Sequence, residues 1–150
     1  MRVVIQRVLE SSVSIGGEVV GNIGQGLVVL CGFGEDDTSD DLAWVSKKIA
    51  GLRIFDDEEG VMNRSVLEVD GDILVVSQFT LMASTKKGNR PSYVAAARHE
   101  ISIPLYEEFK RMLSYCIGHP VQCGRFGADM KVSLINDGPV TICIDSKNRI

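Results

Sequence analysis

The sequence is short of the features that mark several large classes of protein. No apolar run approaches the roughly 20 residues that a membrane-spanning helix needs, and polar residues enter as early as Gln6 and Arg7. We therefore expect no membrane association and no secretion leader. Cysteine is scarce, and the four that occur share no zinc-binding spacing such as CxxC. These absences predict a reduced, cytoplasmic protein that needs neither a metal ion nor a cofactor.

Motifs of the common hydrolases are missing as well. The nucleophile-elbow pattern GxSxG does not occur. The two histidines are His99, in a polar helical segment, and His119, between a glycine and a proline, and both positions are typical of surface or loop residues. We therefore expect no Ser-His-Asp triad. The acidic run at 56–59 lacks the spacing of a calcium-binding loop, and we interpret it as a solvated turn.

Negative charge predominates slightly, with a net charge of −4. A protein that coats nucleic acid without regard to its sequence is normally basic, so this class is disfavoured. A local basic patch could still hold one end of an RNA, and Lys86, Lys87 and Arg90 are the first candidates for it. Four further basic residues are held in reserve for such a patch: Arg2, Arg7, Lys47 and Lys48.

The 150 residues, of which 45% are hydrophobic, suit a single domain over residues 1–150. Runs rich in β-branched residues predict strands at both ends of the chain, with a tight hairpin turn at Gly16-Gly17. The predicted strands are 2–8, 13–15, 18–23, 26–33, 73–76, 121–126, 131–135 and 140–145.

The middle of the chain changes to helical periodicity. Leu42, Val45 and Ile49 recur at the spacing of one helix face, and Thr38 with Asp41 resembles a capping box. The predicted helices are 39–52, 91–97 and a third that starts at 102–104. This order of elements predicts one α/β domain whose helices cover one side of a curved sheet.

Two segments have unusual residues for their positions. The first is Ser77-Gln78-Phe79-Thr80, which places polar residues directly after the apolar strand at 73–76. These residues either cap the end of the strand or present backbone N–H groups and hydroxyls to a pocket. Donors of that kind are what the developing oxyanion of an ester needs.

The second unusual segment is Asn136-Asp137-Gly138-Pro139, between two predicted strands. All four residue types form β-turns, so an ordinary turn is one interpretation. The other is a cis Gly138-Pro139 peptide, since cis prolyl bonds lie only about 0.5–1 kcal/mol above trans ones. That isomer would turn two carbonyl oxygens to one side as a rigid pair of acceptors. Both interpretations stay open at the level of the residues.

Taken together, several segments resemble the D-aminoacyl-tRNA deacylase family. They occur in the family's order over a chain of the same length, and the combination is far more specific than any one of them. The matching segments are 1–8, 21–32, 77–81, 87–92, 126–132 and 136–141. Two small departures lie in or beside the polar loop that we predict at residues 84–92. Lys86 stands where the family often has Arg, and Tyr93 where it more often has Phe.

The resemblance implies a homodimeric enzyme with a three-layer α/β/β fold and a mostly antiparallel, barrel-like sheet. It implies hydrolysis of the ester bond of D-aminoacyl-tRNA, and of glycyl-tRNA mischarged on tRNA-Ala, as proofreading in translation. The 77–80 segment of one subunit would face a cis Gly138-Pro139 of the other. The carbonyl oxygens of Gly138-Pro139 would hold the α-amino group of the substrate, so that an L side chain meets rigid backbone and a D side chain does not.

The resemblance also suggests roles within the 77–80 segment. Phe79 would donate its backbone N–H to the oxyanion, and Gln78 would organise the pocket, with Ser77 in the same catalytic segment. Thr80 would need a base to act as a nucleophile. We prefer that it shapes the pocket while the 2′-hydroxyl of the RNA helps to activate water.

The polar loop would grip the acceptor end of the tRNA through phosphate contacts from Lys86, Lys87 and Arg90. Two rival functions are a DNA-binding replication accessory protein and a small-ester hydrolase that uses Thr80. Some eukaryotic relatives carry an added tail linked to DNA. This chain ends at Ile150, soon after its last predicted strand, without a basic tail, so we expect no DNA partner. Activity on D-aminoacyl esters that lack RNA would favour the second rival.

Overall fold

The computed structural model describes residues 1–150 as eight strands, two α-helices and one turn of 3₁₀ helix. The strands are β1 (Arg2–Ile15), β2 (Glu18–Ile23), β3 (Gly26–Gly32), β4 (Phe55–Asp56), β5 (Met62–Arg64), β6 (Asp72–Ser77), β7 (Gln122–Cys123) and β8 (Lys131–Asp145). The helices are α1 (Ser39–Gly51), α2 (His99–Ile117) and the 3₁₀ helix Phe79–Met82. No helix combines the length and the hydropathy that crossing a membrane requires.

The long strand β1 organises the main sheet. It pairs in antiparallel fashion with β2, β3 and β8, whereas β3 pairs with β6, and β6 with β7, in parallel. The sheet curls until β2 approaches β7, and a Cβ atom added at Gly21 would lie 2.8 Å from the carbonyl oxygen of Cys123. This close approach requires glycine at position 21. The predicted α/β class with a curved, barrel-like sheet is confirmed. The sheet was predicted to be mostly antiparallel, and it is mixed, because β6 is parallel to both β3 and β7.

Two apolar clusters fill the two faces of this sheet. Successive residues of a strand point to opposite faces, so Leu27 and Val29 of β3 join the larger cluster with the helices, and Val28 joins the smaller one. All three side chains are almost fully buried, as the apolar run at 26–33 predicts. The core residues that α1 and α2 contribute to the larger cluster include Leu42, Val45, Ile49, Phe109 and Leu113.

The first predicted helix is confirmed by α1, but the other two helix predictions were wrong in detail. Residues 91–97 form turns instead of a helix, with the Ala96 N–H donating to the Tyr93 carbonyl oxygen at 3.0 Å. Helix α2 begins at His99, so that Pro104 lies inside it. The Ser102 hydroxyl donates to the Arg98 carbonyl oxygen at 3.0 Å, and this bond supports the first turn ahead of the proline.

The three predicted closing strands are also corrected. Strand β7 is only two residues long, and β8 runs without a break from Lys131 to Asp145. The segment 137–140, which includes three of the four turn-forming residues, is accommodated as a bulge, because Asn136 pairs with Val8 and Thr141 pairs with Gln6 of β1. Four residues of β8 thus lie opposite the single residue Arg7 of β1, and the excess projects from the ladder.

The N-terminus of α1 is held by a buried carboxylate. Asp41 accepts the Thr38 backbone N–H at 2.9 Å, as the predicted capping box requires, and the Lys147 ammonium group at 2.9 Å. Burial alone would raise the pKa of the Asp41 carboxyl. Hydrogen bonds from Lys147, Thr38 and Ser146 outweigh burial and hold that pKa well below its usual range.

The Asp41→Asn substitution should lower the free energy of unfolding at pH 7 by about 1–3 kcal/mol, because it removes the charge that accepts these bonds. The folded-state pKa lies below the unfolded value of about 3.9. The stabilisation is therefore complete above that value and is lost as the pH falls through the folded-state pKa. Urea titrations at pH 7 and near pH 3 should show the full difference between variant and natural protein at pH 7 and a smaller one near pH 3. Asp40→Asn, at an exposed carboxylate of the same helix turn, is the control, and an equal loss in both variants would contradict the account.

Candidate active site

The first unusual segment begins where β6 ends. Ser77 is the last residue of β6 and pairs with Cys31 of β3. The Gln78 N–H then donates to the Cys31 carbonyl oxygen at 2.7 Å, which extends the parallel ladder by one more bond. The chain leaves the sheet at this point and enters the 3₁₀ helix.

The start of the 3₁₀ helix presents two backbone donors. Its first internal bond joins the Leu81 N–H to the Gln78 carbonyl oxygen at 3.2 Å. The N–H groups of Phe79 and Thr80 precede that bond, so the helix itself offers them no acceptor. Donors at the start of a helix are suited to stabilising negative charge on an oxygen. The structure thus leaves the predicted oxyanion donor, the Phe79 amide, without an acceptor inside its own helix.

No proton acceptor activates the hydroxyl of Thr80. The Gln78 side-chain amide donates to the Thr80 hydroxyl oxygen, and a primary amide does not take up a proton near neutral pH whichever of its atoms faces Thr80. Neither a carboxylate nor an imidazole hydrogen-bonds to Thr80. The nearby Cys31 thiol is no alternative nucleophile, because burial raises its pKa far above its usual range.

The second unusual segment is the exposed bulge of β8. The Gly138-Pro139 peptide is cis, and Gly138 has a φ of +132°. A Cβ atom at position 138 would lie 2.9 Å from both the backbone nitrogen and the Cγ2 atom of Val140. Glycine is therefore required at 138 both for its backbone conformation and for its lack of a side chain.

Arg7 is a residue of this region whose importance was not predicted. Its side chain is 8% exposed and donates to the carbonyl oxygens of Ile54 at 2.7 Å and Asp137 at 2.9 Å. The guanidinium group thus supports the bulge from inside. The sequence offers one sign of this role. Arg7 lies on the same face of β1 as the buried Val3 and Ile5, and an arginine on a buried face needs an internal partner.

Of the four further basic residues considered for the patch, the two arginines form hydrogen bonds within the chain and the two lysines are exposed. Placing Arg7 in a tRNA-binding patch was wrong, because it is buried. Arg2 donates to the Leu81 carbonyl oxygen at 3.1 Å and to Asp145 at 3.0 Å, and so links the 3₁₀ helix to β8. Lys47 and Lys48 are exposed on α1, and Lys48 lies over the ring of Trp44.

The structure does not bring the two unusual segments together within one chain. Ser77 shares a row across the sheet with Cys31, Val3 and Ile144. Pro139 lies opposite Arg7, which places it roughly 13 Å further along β1 and three strand spacings, roughly 14 Å, across the sheet. Five surface depressions of about 210–310 Å³ lie elsewhere and include none of residues 77–80 in their linings.

The three predicted phosphate contacts lie on an exposed loop beside the first segment. Two hydrogen bonds between Ser84 and Ser92, at 2.8 and 2.9 Å, close the base of this loop. Lys86, Lys87 and Arg90 are exposed and form no ion pair. Residues 73–99 also contain no aspartate or glutamate, so the loop is a locally basic surface on an acidic protein. No group of three or more His, Cys, Asp or Glu side chains could hold a metal ion.

Comparison with known proteins gives concordant matches. Residues 4–145 match the family model described as D-Tyr-tRNA(Tyr) deacylase. Proteins named D-aminoacyl-tRNA deacylase from Bacteroides fragilis (strain YCH46) and Dechloromonas aromatica (strain RCB) are 62% and 60% identical over 149 and 147 residues. The alignments cover 99% of both chains for the first and 98% of both for the second.

Two solved structures share the fold. One, named c-Myc DNA Unwinding Element Binding Protein, is 40% identical with a TM-score of 0.91, covering 97% of this chain and 98% of that one. The other is described as a probable eukaryotic D-amino acid tRNA deacylase. It is 20% identical with a TM-score of 0.83, covering 95% of this chain and 97% of that one, and it supports the fold alone.

Proposed function

This chain belongs to the D-Tyr-tRNA(Tyr) deacylase family, and from that premise we propose that it hydrolyses the ester bond of D-aminoacyl-tRNA, releasing the free D-amino acid and the tRNA. The observation that carries the proposal is the pair of backbone N–H groups at Phe79 and Thr80, at the end of a buried strand and beside a basic loop. The function is chiral proofreading in the cytoplasm, where aminoacyl-tRNAs are used. Release of amino acid from D-aminoacyl-tRNA is its direct test.

The proposed reaction is attack of water on the ester carbonyl. The Phe79 N–H stabilises the negative charge that develops on the carbonyl oxygen. The bond from the acyl carbon to the ribose oxygen then breaks, and a proton returns to the ribose. Since no protein acid or base contacts Thr80, the neighbouring 2′-hydroxyl of the terminal ribose helps to activate the water. Gln78 and Ser77 organise the pocket.

Removal of the Thr80 hydroxyl should leave kcat for D-aminoacyl-tRNA within about 10-fold of the natural value. The reason is that the substitution removes a group that shapes the pocket and does not remove a nucleophile. Thr80→Val keeps the shape of the side chain, and Thr80→Ser keeps the hydroxyl as the matched control. Single-turnover kinetics with circular dichroism as a folding check would measure this. Near-total loss in Thr80→Val, with Thr80→Ser active and both proteins folded and able to bind tRNA, would establish Thr80 as the nucleophile.

We propose that the stereochemical check comes from a second subunit. Gly138 and Pro139 are exposed on a bulge that Arg7 supports from inside, so they form a firm projection. Their carbonyl oxygens would hold the α-amino group of the substrate, and an L side chain would collide with the backbone. Rejection by backbone atoms acts on many side chains alike. Glycine offers only a hydrogen at that place, so mischarged glycyl-tRNA-Ala is a second proposed substrate.

A homodimer is proposed for two reasons. The two segments are far apart within one chain, so only another copy can join them in one site. Strand β8 also pairs with β1 alone, which leaves its second edge free, and a long free edge is a natural place for association. Large apolar side chains exposed on β1 and β8 are Leu9, Leu134 and Ile135.

Neutralising the basic loop should weaken tRNA binding and its dependence on salt. Each phosphate contact contributes about −0.9 to the slope of log K against log salt for duplex nucleic acid and about −0.7 for a single strand. The triple variant Lys86→Gln, Lys87→Gln, Arg90→Gln should therefore reduce the slope by about two units. Fluorescence anisotropy with uncharged tRNA at several salt concentrations measures this. Lys131→Gln, on the distant strand β8, is the control, and an unchanged slope in the triple variant would refute the placement.

DNA binding is a second candidate function, because the 40% identical solved structure is named as a protein that binds a DNA element. The same exposed cations could contact the phosphates of either nucleic acid. Competition between a DNA duplex and tRNA for the protein distinguishes the two, and ester hydrolysis is a readout that a DNA-binding module lacks. A small-ester hydrolase is distinguished by cleavage of D-aminoacyl esters that carry no RNA.

A further inference from the structure

A groove that is open to solvent lies between α1 and α2, and its lining includes no residue of 77–80 or 136–139. Its volume is about 310 Å³, at the lower end of the range for small-molecule sites. Ala43 of α1 and Met112 and Cys116 of α2 give it apolar walls. The lining spans residues 43–47 and 108–116, which at 1.5 Å per residue are roughly 6 Å and 12 Å long. The groove therefore suits a ring or a short chain better than a whole partner helix.

A buried hydroxyl at this groove has no partner within the protein. Ser46 lines the groove and is fully buried, and its Oγ atom makes no hydrogen bond. Ser102 and Ser114 of α2 differ, because each donates its hydroxyl to the carbonyl oxygen four residues earlier, at 3.0 and 2.8 Å. Buried polar groups are nearly always hydrogen-bonded, since an unpaired one is unfavourable. Ser46 thus offers a hydrogen bond to a ligand in the groove.

The charges around the groove favour an anion. Lys47 and Arg111 line it, are exposed and form no ion pair. Glu108 is the one carboxylate of the lining, and its Oε1 atom accepts the Ser39 hydroxyl at 2.8 Å. Two cations against one carboxylate leave a local excess of positive charge on a protein whose net charge is −4. A guanidinium group binds a carboxylate through paired hydrogen bonds, so an organic acid complements this lining.

We propose that the groove between α1 and α2 binds a small organic acid, a free monocarboxylate with an apolar ring or short chain. The carboxylate accepts hydrogen bonds from Arg111, Lys47 and the Ser46 hydroxyl. The apolar part packs on Met112 and covers the ring of Tyr115, which lines the groove and is 89% exposed. An inorganic anion would leave the apolar walls bare, and a neutral hydrocarbon would leave Ser46 unpaired.

Binding of 4-phenylbutyrate, which joins a ring and a short chain to a carboxylate, tests the proposal. Isothermal titration calorimetry at pH 7 should give a Kd of about 1 mM or tighter, as expected for about a dozen non-hydrogen atoms. The charge-reversed 4-phenylbutylamine should bind at least about 10-fold more weakly. Absence of saturable binding up to about 10 mM acid, or equal affinity for the acid and the amine, would overturn the proposal.

Substitutions in the lining locate the bound acid. Arg111→Gln and Ser46→Ala should each raise the Kd for 4-phenylbutyrate by about 10-fold. Ser46→Ala should leave the urea midpoint of the free protein unchanged or higher, because it removes a buried hydroxyl that has no partner. Lys48→Gln is the control, since Lys48 is exposed on the same helix outside the lining, and its Kd should match that of the natural protein. An unchanged Kd in both lining variants would refute the groove as the site.

Methyl NMR of the methionines gives a second readout of the position. The Met112 resonance, assigned with Met112→Leu, should shift on titration, and the Met82 resonance of the 3₁₀ helix should not. A shift at Met82 alone would place the acid at the proposed ester site and overturn the proposal. Sedimentation of Tyr115→Ala should match the natural protein, and a change in mass would assign the groove to contact between copies of the chain instead.

Discussion

Replacing Phe79 with proline should lower kcat for D-aminoacyl-tRNA by about 100- to 1,000-fold, the usual cost of removing one oxyanion donor. Proline lacks the backbone N–H, so the substitution deletes the donor that the account places at the ester. Single-turnover hydrolysis at saturating enzyme measures the chemical step. The loss should fall on kcat, because the donor acts on charge that exists only in the transition state.

The fold should tolerate this substitution. Phe79 is the first residue of its helix, a position where proline removes no intrahelical bond. Gln78 has φ −146° and ψ 82°, outside the α region that a following proline excludes. Phe79→Leu is the matched control, because it removes the ring and keeps the N–H. If the two variants had the same kcat, the Phe79 amide would have no role as an oxyanion donor.

Replacing Gly138 with alanine should lower kcat/KM for D-aminoacyl-tRNA by about 100-fold, the effect of a shift of about 1 Å at a reacting centre. The added Cβ atom would lie 2.9 Å from the Val140 backbone nitrogen, and the φ of +132° is unfavourable for alanine. The bulge must therefore move. Gly60→Ala is the control, since Gly60 also has a positive φ, 75°, and has nothing within 4 Å of its Cβ position.

The same substitution can test whether the site is shared between subunits. In a mixed dimer of Gly138→Ala with Phe79→Pro, one of the two sites combines two intact segments. Random exchange of subunits should restore about a quarter of the natural activity, because half of the dimers are mixed and each has one working site. Each variant alone should keep no more than about 1% of the natural activity. No gain on mixing, with subunit exchange verified, would show that the two segments do not share a site across subunits.

The elements that the sequence predicts well are those decided by neighbouring residues. Helix α1 follows from the spacing of Leu42, Val45 and Ile49, and the hairpin between β1 and β2 follows from Gly16-Gly17. Strand β8 could not be predicted as one strand, because its turn-forming residues are held by pairing with β1, more than a hundred residues away in the chain. Distant pairing overrides local turn propensity at that place.

The segments of the proposed site can be proposed from the sequence, but their surroundings cannot. Ser77 to Thr80 and Gly138-Pro139 can be recognised as motifs, but the bond from Arg7 to the Asp137 carbonyl joins residues 130 apart. No local pattern reports such a contact. The exposure of the Phe79 ring beside Tyr93 likewise depends on how the loop at 84–92 closes. Motifs therefore suggest which segments form the site, and only the folded chain shows what supports them.

The most direct test is hydrolysis of matched D- and L-aminoacyl-tRNA that carry the same amino acid on the same tRNA. We expect the natural protein to release the D-amino acid and to cleave the L ester about 100-fold or more slowly, because the L side chain meets the Gly138-Pro139 backbone. Equal rates on the two stereoisomers, or no hydrolysis of the D ester, would contradict it.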